Sequence, residues 1–363
     1  MTSYTPSVAI AYKNFAAWKG ISHIGLGVSA SLNAQIINSG VGTATIIPSR
    51  HNIDIVDGIR AYNSSHAKPL THVIISAPWL STRDLRAMAT HFKDTQFAVL
   101  SHSNVGFLQA DPNGTRLLRE GLALSQELPN FKIAGNSQKF VRWMEEAYGV
   151  PMALLPNMYP VSGVVKPIST SGVIKIGIFG AVRPQKNVLT AAAAAIAIGH
   201  KMKRPVELWI SSGREEGGVG TLLNALRQLT INVPDFKVLN APWVAWEKFS
   251  KEVVGSMDLL IQVSYTESFN MVTADGIAVG VPSVVSEAID WAPKEWHANA
   301  DDALDVAIVG IRLLTHKRIR AKGVKALRKH NAVALKSWKK YLGVKEMTWL
   351  QILKHEIWDK FGA

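Results

Sequence analysis

The stretch YTESFNMVTADGIAVGVPSVVSE, residues 265 to 287, places Glu267 in a polar turn and Asp275 eight residues on, inside an amphipathic segment. The pattern predicts a strand ending before Thr266 and a helix from about Met271 to Val279, with Ser268 or Asn270 available as its cap. Such a helix turns its unpaired first N–H groups, an electropositive end, toward the space beyond the strand. Earlier, FGAVRPQKNVLTAA (179 to 192) sets Arg183 and Lys186 between a strand and a helix starting near Asn187. Two cations beside a helix start suit a diphosphate. Glu267 would repel phosphate and is suited to accept hydrogen bonds from hydroxyls. Asp275, turned about 80° from it on helical geometry, would reach a different hydroxyl pair. A diphosphate between two polyols describes a nucleotide sugar. Each residue also has an ordinary reading: loop cations are often merely solvated, and the two carboxylates would fit equally beside a cap and on an exposed helix face.

The elements that must hold these residues alternate along the chain. Strand candidates TATIIP (43 to 48), HVIISA (72 to 77), FAVLSH (97 to 102), KIAGN (132 to 136) and MALLPN (152 to 157) are separated by helical patterns such as STRDLRAMATHF and SQKFVRWMEEAYG. A stretch rich in Pro, Gly and hydroxyl residues, 158 to 172, reads as a linker, after which KIGIFG, ELWISS, FKVLN, LLIQVS and PSVVSE repeat the alternation. The expectation is an α/β protein with two Rossmann-like parallel-sheet domains, residues 1 to 165 and 172 to 301, followed by basic helices over 302 to 363. Parallel sheets bind ligands at the carboxyl ends of their strands, so the cleft between the domains is the expected site.

Composition narrows the class. Apolar residues make up 47% and charged residues 18%, the balance of a globular chain. With no cysteine, disulfides, thiolate metal sites and cysteine nucleophiles are excluded. Neither a secretory leader nor a run long enough to cross a bilayer is apparent, so a soluble, cytoplasmic protein is expected. The charge is regional: Arg312, Lys317, Arg318, Arg320, Lys322, Lys325, Arg328, Lys329, Lys336, Lys339, Lys340 and Lys345 account for all but one of the net +13, and residues 306 to 345 contain no Asp or Glu. That pattern fits a solvated helix face or a surface facing an anionic polymer or membrane.

TESFNMVTADGIAVGVPSVVS resembles the glutamate, seven residues, glutamate motif of family 4 of the retaining glycosyltransferases, which have the two-domain GT-B fold. Glu267, Phe269, Gly280, Pro282, Val284 and Val285 match it in place, and Asp275 holds the second acidic position. Lys186 and Asn187 of GAVRPQKN match the donor-diphosphate loop, with Arg183 slightly displaced; AVLSHSN puts His102 in the role of the active-site histidine. GNSQKFVRWMEEAYGVPMALLPN resembles the helix that precedes the linker, and Gly25 and Gly27 of GISHIGLGVSA stand where a glycine-rich donor loop belongs. The resemblance implies His102 and Glu267 as catalytic residues. Donor contacts would come from Arg183, Lys186, Ser268, Phe269, Asn270, Met271, Asp275, Gly25 and Gly27. The co-substrate would be a nucleotide sugar such as UDP-glucose, with no cofactor. Two departures stand out: Asp275 is a methylene shorter than glutamate, and Ser268 and Asn270 replace glycines beside the donor sugar. No Asp-x-Asp motif or metal-spaced histidine cluster occurs, so a metal-independent mechanism is expected.

The acceptor is read from the basic tail, with Arg318, Arg320, Lys325 and Arg328 as phosphate-binding candidates and Trp338, Trp349 and Trp358 as stacking surface. One reading is a hydroxymethylated pyrimidine in DNA, as for phage-type DNA-modifying enzymes, with the base flipped out to reach the donor. Another is a peripheral enzyme of lipid or surface-polysaccharide synthesis docked on anionic lipid. A third is a non-catalytic nucleic-acid-binding protein on a transferase fold. KRIRAKGVKALRKHNAVALKSWKK is poor in bulky apolar residues, which favours DNA over lipid.

Overall fold

A computed structural model describes residues 4–14, 25–211 and 220–344. Lys345, Trp349 and Trp358 lie outside the described residues.

The first lobe runs β1 (Ser7–Lys13), α1 (Gly25–Asn38), β2 (Thr43–Ser49), α2 (Asn52–Ser65), β3 (His72–Ser76), α3 (Thr82–His91), β4 (Gln96–Ser101), α4 (Val105–Leu108), α5 (Pro112–Glu127), β5 (Phe131–Gly135), α6 (Gln138–Tyr148) and β6 (Ala153–Leu154). These strands form one parallel sheet in the order β2-β1-β3-β4-β5-β6. Every residue of β3 is buried, as a strand covered on both faces by helices requires. Helix boundaries follow local chemistry. Ser81 caps α3 by accepting from Asp84 N, and α6 stops at Gly149, whose φ of 64° is left-handed.

The second lobe runs β7 (Ile174–Ile178), α7 (Val188–Met202), β8 (Val206–Ile210), α8 (Gly220–Thr230), β9 (Phe236–Asn240), α9 (Trp246–Lys248), β10 (Leu259–Gln262), α10 (Met271–Ala278), β11 (Ser283–Val285) and α11 (Ala303–Thr315). Its sheet is also parallel, in the order β11-β10-β7-β8-β9. Two sequence expectations need correction. SVAIAYK, not read as a strand, is β1 and pairs with both β2 and β3; MALLPN supplies only the two residues of β6.

Residues 155–173 connect the sheets without helix or strand. Their backbone is held by the last described helices, α12 (Lys317–Arg320) and α13 (Lys322–Tyr341). Trp338 Nε1 donates to Pro156 O at 2.8 Å and His330 Nε2 lies 2.8 Å from Asn157 O. Asn331 accepts from Tyr159 N at 3.1 Å and donates to Tyr159 O at 2.6 Å. At one end of α13, Leu327 belongs to the second lobe's core, and Gly323 lies so close to Trp296 that a Cβ would come within 2.4 Å of its ring. At the other, Trp338 and Leu342 pack with Ile10, Ala30 and Ile74 of the first. No described helix is long and apolar enough to cross a membrane.

Candidate active site

The turn after β10 and the loop after β7 meet at the carboxyl edge of the second sheet. Gly180 opens the loop with φ 108°, a conformation that favours glycine. The chain then makes a single 3₁₀ turn over Pro184–Lys186, and Asn187 fixes its end by donating to Val263 O at 3.2 Å and Ala300 O at 2.7 Å. Lys186 Nζ thereby reaches Glu267 Oε1 at 2.5 Å, with both side chains 12% exposed. Asn270, itself at φ 65°, caps α10 through Thr273 N at 2.8 Å and donates to Glu267 Oε1 and Gln262 Oε1, each at 3.1 Å. Burial alone would push the Glu267 carboxyl up. The Lys186 ammonium beside it outweighs that and holds it below the ordinary glutamate value. Glu267 is thus a buried, fully ionised acceptor. Arg183 lies nearby with its guanidinium 4.8 Å from the centre of the Phe107 ring.

A cavity of about 120 Å³ begins at Gly180, where a Cβ would come within 3.4 Å of Lys186 Cε. It is lined by Gly25 and Val28 of the first lobe and by Gly180, Trp243, Met271 and Asp275 of the second, among others, but not by Lys186 or Glu267 themselves. A Cβ on Gly25 would meet nothing within 4 Å, whereas one on Gly27 would come within 2.9 Å of the Tyr12 ring. Among the described residues Gly25 therefore borders open space, and Gly27 serves packing. Asp275 is 2% exposed, and its Oδ1 accepts from Tyr159 Oη at 2.5 Å and Trp246 Nε1 at 2.9 Å. Burial raises its pKa to about 6 against the lowering effect of these bonds. The expected contact with a donor hydroxyl pair is thus modified, since one carboxylate oxygen is already committed to the protein.

His102 follows β4 and faces the same junction. Nε2 lies 2.8 Å from Ser76 Oγ and Nδ1 3.2 Å from Asn136 Nδ2, and burial lowers its pKa to about 4. With the Asn136 amide donating, Nδ1 is the acceptor and the proton sits on Nε2, giving a neutral ring. Ser268 does not cap α10; its hydroxyl donates to His102 O at 2.7 Å.

The structure thus brings together His102, Arg183, Lys186, Glu267, Ser268, Asn270, Met271, Asp275 and Gly25. Phe269 turns away: it is 2% exposed, stacked on Trp291 at 5.2 Å and set against His330 at 5.0 Å. The basic candidates divide. Arg318, Lys325 and Arg328 are exposed, while Arg320 is 4% exposed in a crevice with Gly280, Pro282 and Trp296, its Nε and Nη2 without a hydrogen-bond partner among the described residues. Arg320 therefore contacts no external phosphate. Its crevice adjoins the C-terminal end of α10, about 12 Å from the N-terminal end that borders the cavity. Sequence reading missed Asn104, Asn136, Tyr159 and Trp246. For the two asparagines the signal was their place just after β4 and β5.

No family model matches the chain, and no curated protein does. Solved structures do match. The UDP-forming trehalose-phosphate synthase from Burkholderia xenovorans superposes with a TM-score of 0.58 at 12% identity, over 95% of this chain and 100% of that one. HepE from Anabaena, in complex with UDP and glucose, gives 0.60 at 12% identity, over 92% and 99%. A trehalose-6-phosphate structure from E. coli, bound with UDP-2-fluoro glucose, gives 0.58 at 13%, over 94% and 99%. Two parallel sheets facing one another across a cleft, tied by a shared C-terminal helix, give this chain the GT-B fold of these glycosyltransferases.

Proposed function

We propose that the protein transfers a sugar from a nucleotide sugar, a UDP-sugar, to a hydroxyl acceptor, with retention of configuration and without a metal. The observation that carries this reading is the buried Lys186–Glu267 pair beside Arg183, with Lys186 against Gly180 at the margin of the cavity that Met271, Asp275 and Gly25 line. The solved neighbours holding UDP with glucose, or a UDP-sugar analogue, support the donor class. Arg183, Lys186 and the start of α10 meet the charge that grows on the departing diphosphate, and fixed dipoles in a water-poor cleft do this at little reorganisation cost. Glu267 accepts from sugar hydroxyls. His102, neutral and with both nitrogens engaged, acts as an oriented dipole rather than a proton donor.

For the acceptor we propose a hydroxymethylated pyrimidine in DNA. Lys325, Lys329, Lys336 and Lys340 are exposed on α13 within about 60° of its circumference, along a helix about 30 Å long. None of them borders the cavity, so this stripe would dock the duplex while a flipped base enters the cleft. An anionic lipid surface is the alternative partner. A purely nucleic-acid-binding role accounts poorly for the convergence of Lys186, Glu267 and His102.

A transfer assay tests the reading: radiolabelled nucleotide sugars against DNA with hydroxymethylated pyrimidines, unmodified DNA and anionic vesicles. Label entering only modified DNA, and fading as salt rises, is the expected result. Label entering lipid would move the acceptor to a membrane surface, and absence of both transfer and donor hydrolysis would overturn the reading.

A further inference from the structure

The loop after β4 reaches the second lobe at four successive points. His102 O accepts the Ser268 hydroxyl at 2.7 Å, and Asn104 Nδ2 donates to Glu267 O. Gly106 lies so close to Thr266 that a Cβ would come within 3.0 Å of its side chain, and the Phe107 ring lies under Arg183. From the end of β5, Asn136 Nδ2 adds a bond to Ser268 Oγ at 3.3 Å. All of these bridges fall on the residues the proposed chemistry uses, or beside them. Ser268 stands where the resembled family has glycine, which has no hydroxyl to give.

Shutting the lobes carries an opposing cost. The side-chain amides of Asn104 and Asn136 and the hydroxyl of Ser268 all donate across or into the junction, yet Asn104 Oδ1 and Asn136 Oδ1 are buried without a partner among the described residues. A stranded carbonyl loses its hydration, and parting the lobes would return it to water. The hydrogen bonds that form across the junction and the acceptors stranded there thus offset one another, the balance a reversible closure needs.

We propose that Ser268 and Asn104 are positioning residues, a latch that fastens the donor-side turn to the acceptor-side loop, so that Glu267 and His102 take their working arrangement only when the lobes are shut. A latch of this kind keeps water from the donor until both lobes are engaged.

Two measurements test it, of which only the kinetic one rests on the proposed glycosyl transfer. With no native cysteine, Glu146→Cys on α6 and Glu252→Cys in the segment after α9, side chains 76% and 65% exposed, accept spin labels cleanly. Pulsed electron paramagnetic resonance on the full chain should give one narrow inter-lobe distance. The added pair Ser268→Gly and Asn104→Ala should lengthen or broaden it, while Ser268→Thr, which keeps the hydroxyl, should not. Should the double variant fail to fold, Ser268→Ala alone gives the same comparison. In kinetics, loss of the latch should raise the ratio of donor hydrolysis to transfer by about tenfold, roughly the weight of one or two hydrogen bonds. A distance distribution unchanged by removing the latch would overturn the proposal whatever the activity. A changed distribution in a protein without transferase activity would uphold the latch and overturn the functional reading instead.

Discussion

Lys186 Nζ stands 2.5 Å from Glu267 Oε1 in a pocket that leaves each side chain 12% exposed. Removing one partner of a buried pair strands the other, at a cost of about 3–5 kcal/mol, whereas removing both is milder. Glu267→Gln and Lys186→Met should each lower thermal stability more than the double variant does, and calorimetry on the three proteins checks this. Lys186→Met should also slow transfer by about 10²-fold or more, the usual weight of one group that stabilises a departing anion. Because the folded-state pKa of Glu267 is depressed, its contribution to stability is present above the unfolded-state value and fades as pH falls below it. Glu267→Gln should flatten the acid limb of the stability curve.

His102 should not titrate in the physiological range. With a folded pKa of about 4 against an ordinary 6.5, the unfolded chain binds more protons between these values, so stability contributed by this ring falls as pH drops through that window. Nitrogen NMR should show one ring with a constant Nε2–H signal from pH 8 down to about 5. A ring titrating near 6.5 would contradict its enclosure by Ser76 and Asn136.

Asp275 carries the opposite sign. Its folded pKa is raised from 3.8 to about 6, so the native state binds the extra proton between these values and loses stability as pH rises through them. Asp275→Asn keeps an oxygen for both Tyr159 and Trp246 and should remove that decline, visible as a smaller difference in melting temperature between pH 5 and pH 7. Tyr159→Phe should instead cost about 1–3 kcal/mol by depriving a buried carboxylate oxygen of a donor.

The basic residues should separate by burial. Charge reversal at Lys325, Lys329, Lys336 and Lys340 should weaken polyanion binding and reduce its logarithmic salt slope by about 0.9 for each phosphate no longer neutralised. Arg320→Ala should leave that slope unchanged and alter stability alone, since Arg320 is 4% exposed. Fluorescence titrations with duplex DNA at several salt concentrations distinguish the two behaviours.

Most of the sheet architecture could be read from the residues because apolar runs of five or six between helical patterns have few other uses in an α/β chain. β1 escaped because no helix pattern precedes SVAIAYK to mark a repeat. In the candidate site, the convergence that could be read was that of residues following strand ends, Glu267, Lys186 and His102. Facing could not be read. Phe269 points into an aromatic stack with Trp291 and His330, and Arg320 on α12 is buried although its neighbours Lys317 and Arg318 are exposed; these facings depend on partners distant in sequence. Tyr159 and Asp275 are 116 positions apart, and only the folded chain brings them together.

The crossing of α13 from one lobe to the other also sets an order of assembly. Trp338 and Leu342 complete the apolar layer around Ile10, Ala30 and Ile74, although more than three hundred residues separate Ile10 from Trp338. During synthesis the amino-terminal half leaves the ribosome long before the helix that seals it, so its own sheet waits with an uncovered apolar face. The part made first is finished last, and in that interval the nascent chain is at its most vulnerable to aggregation.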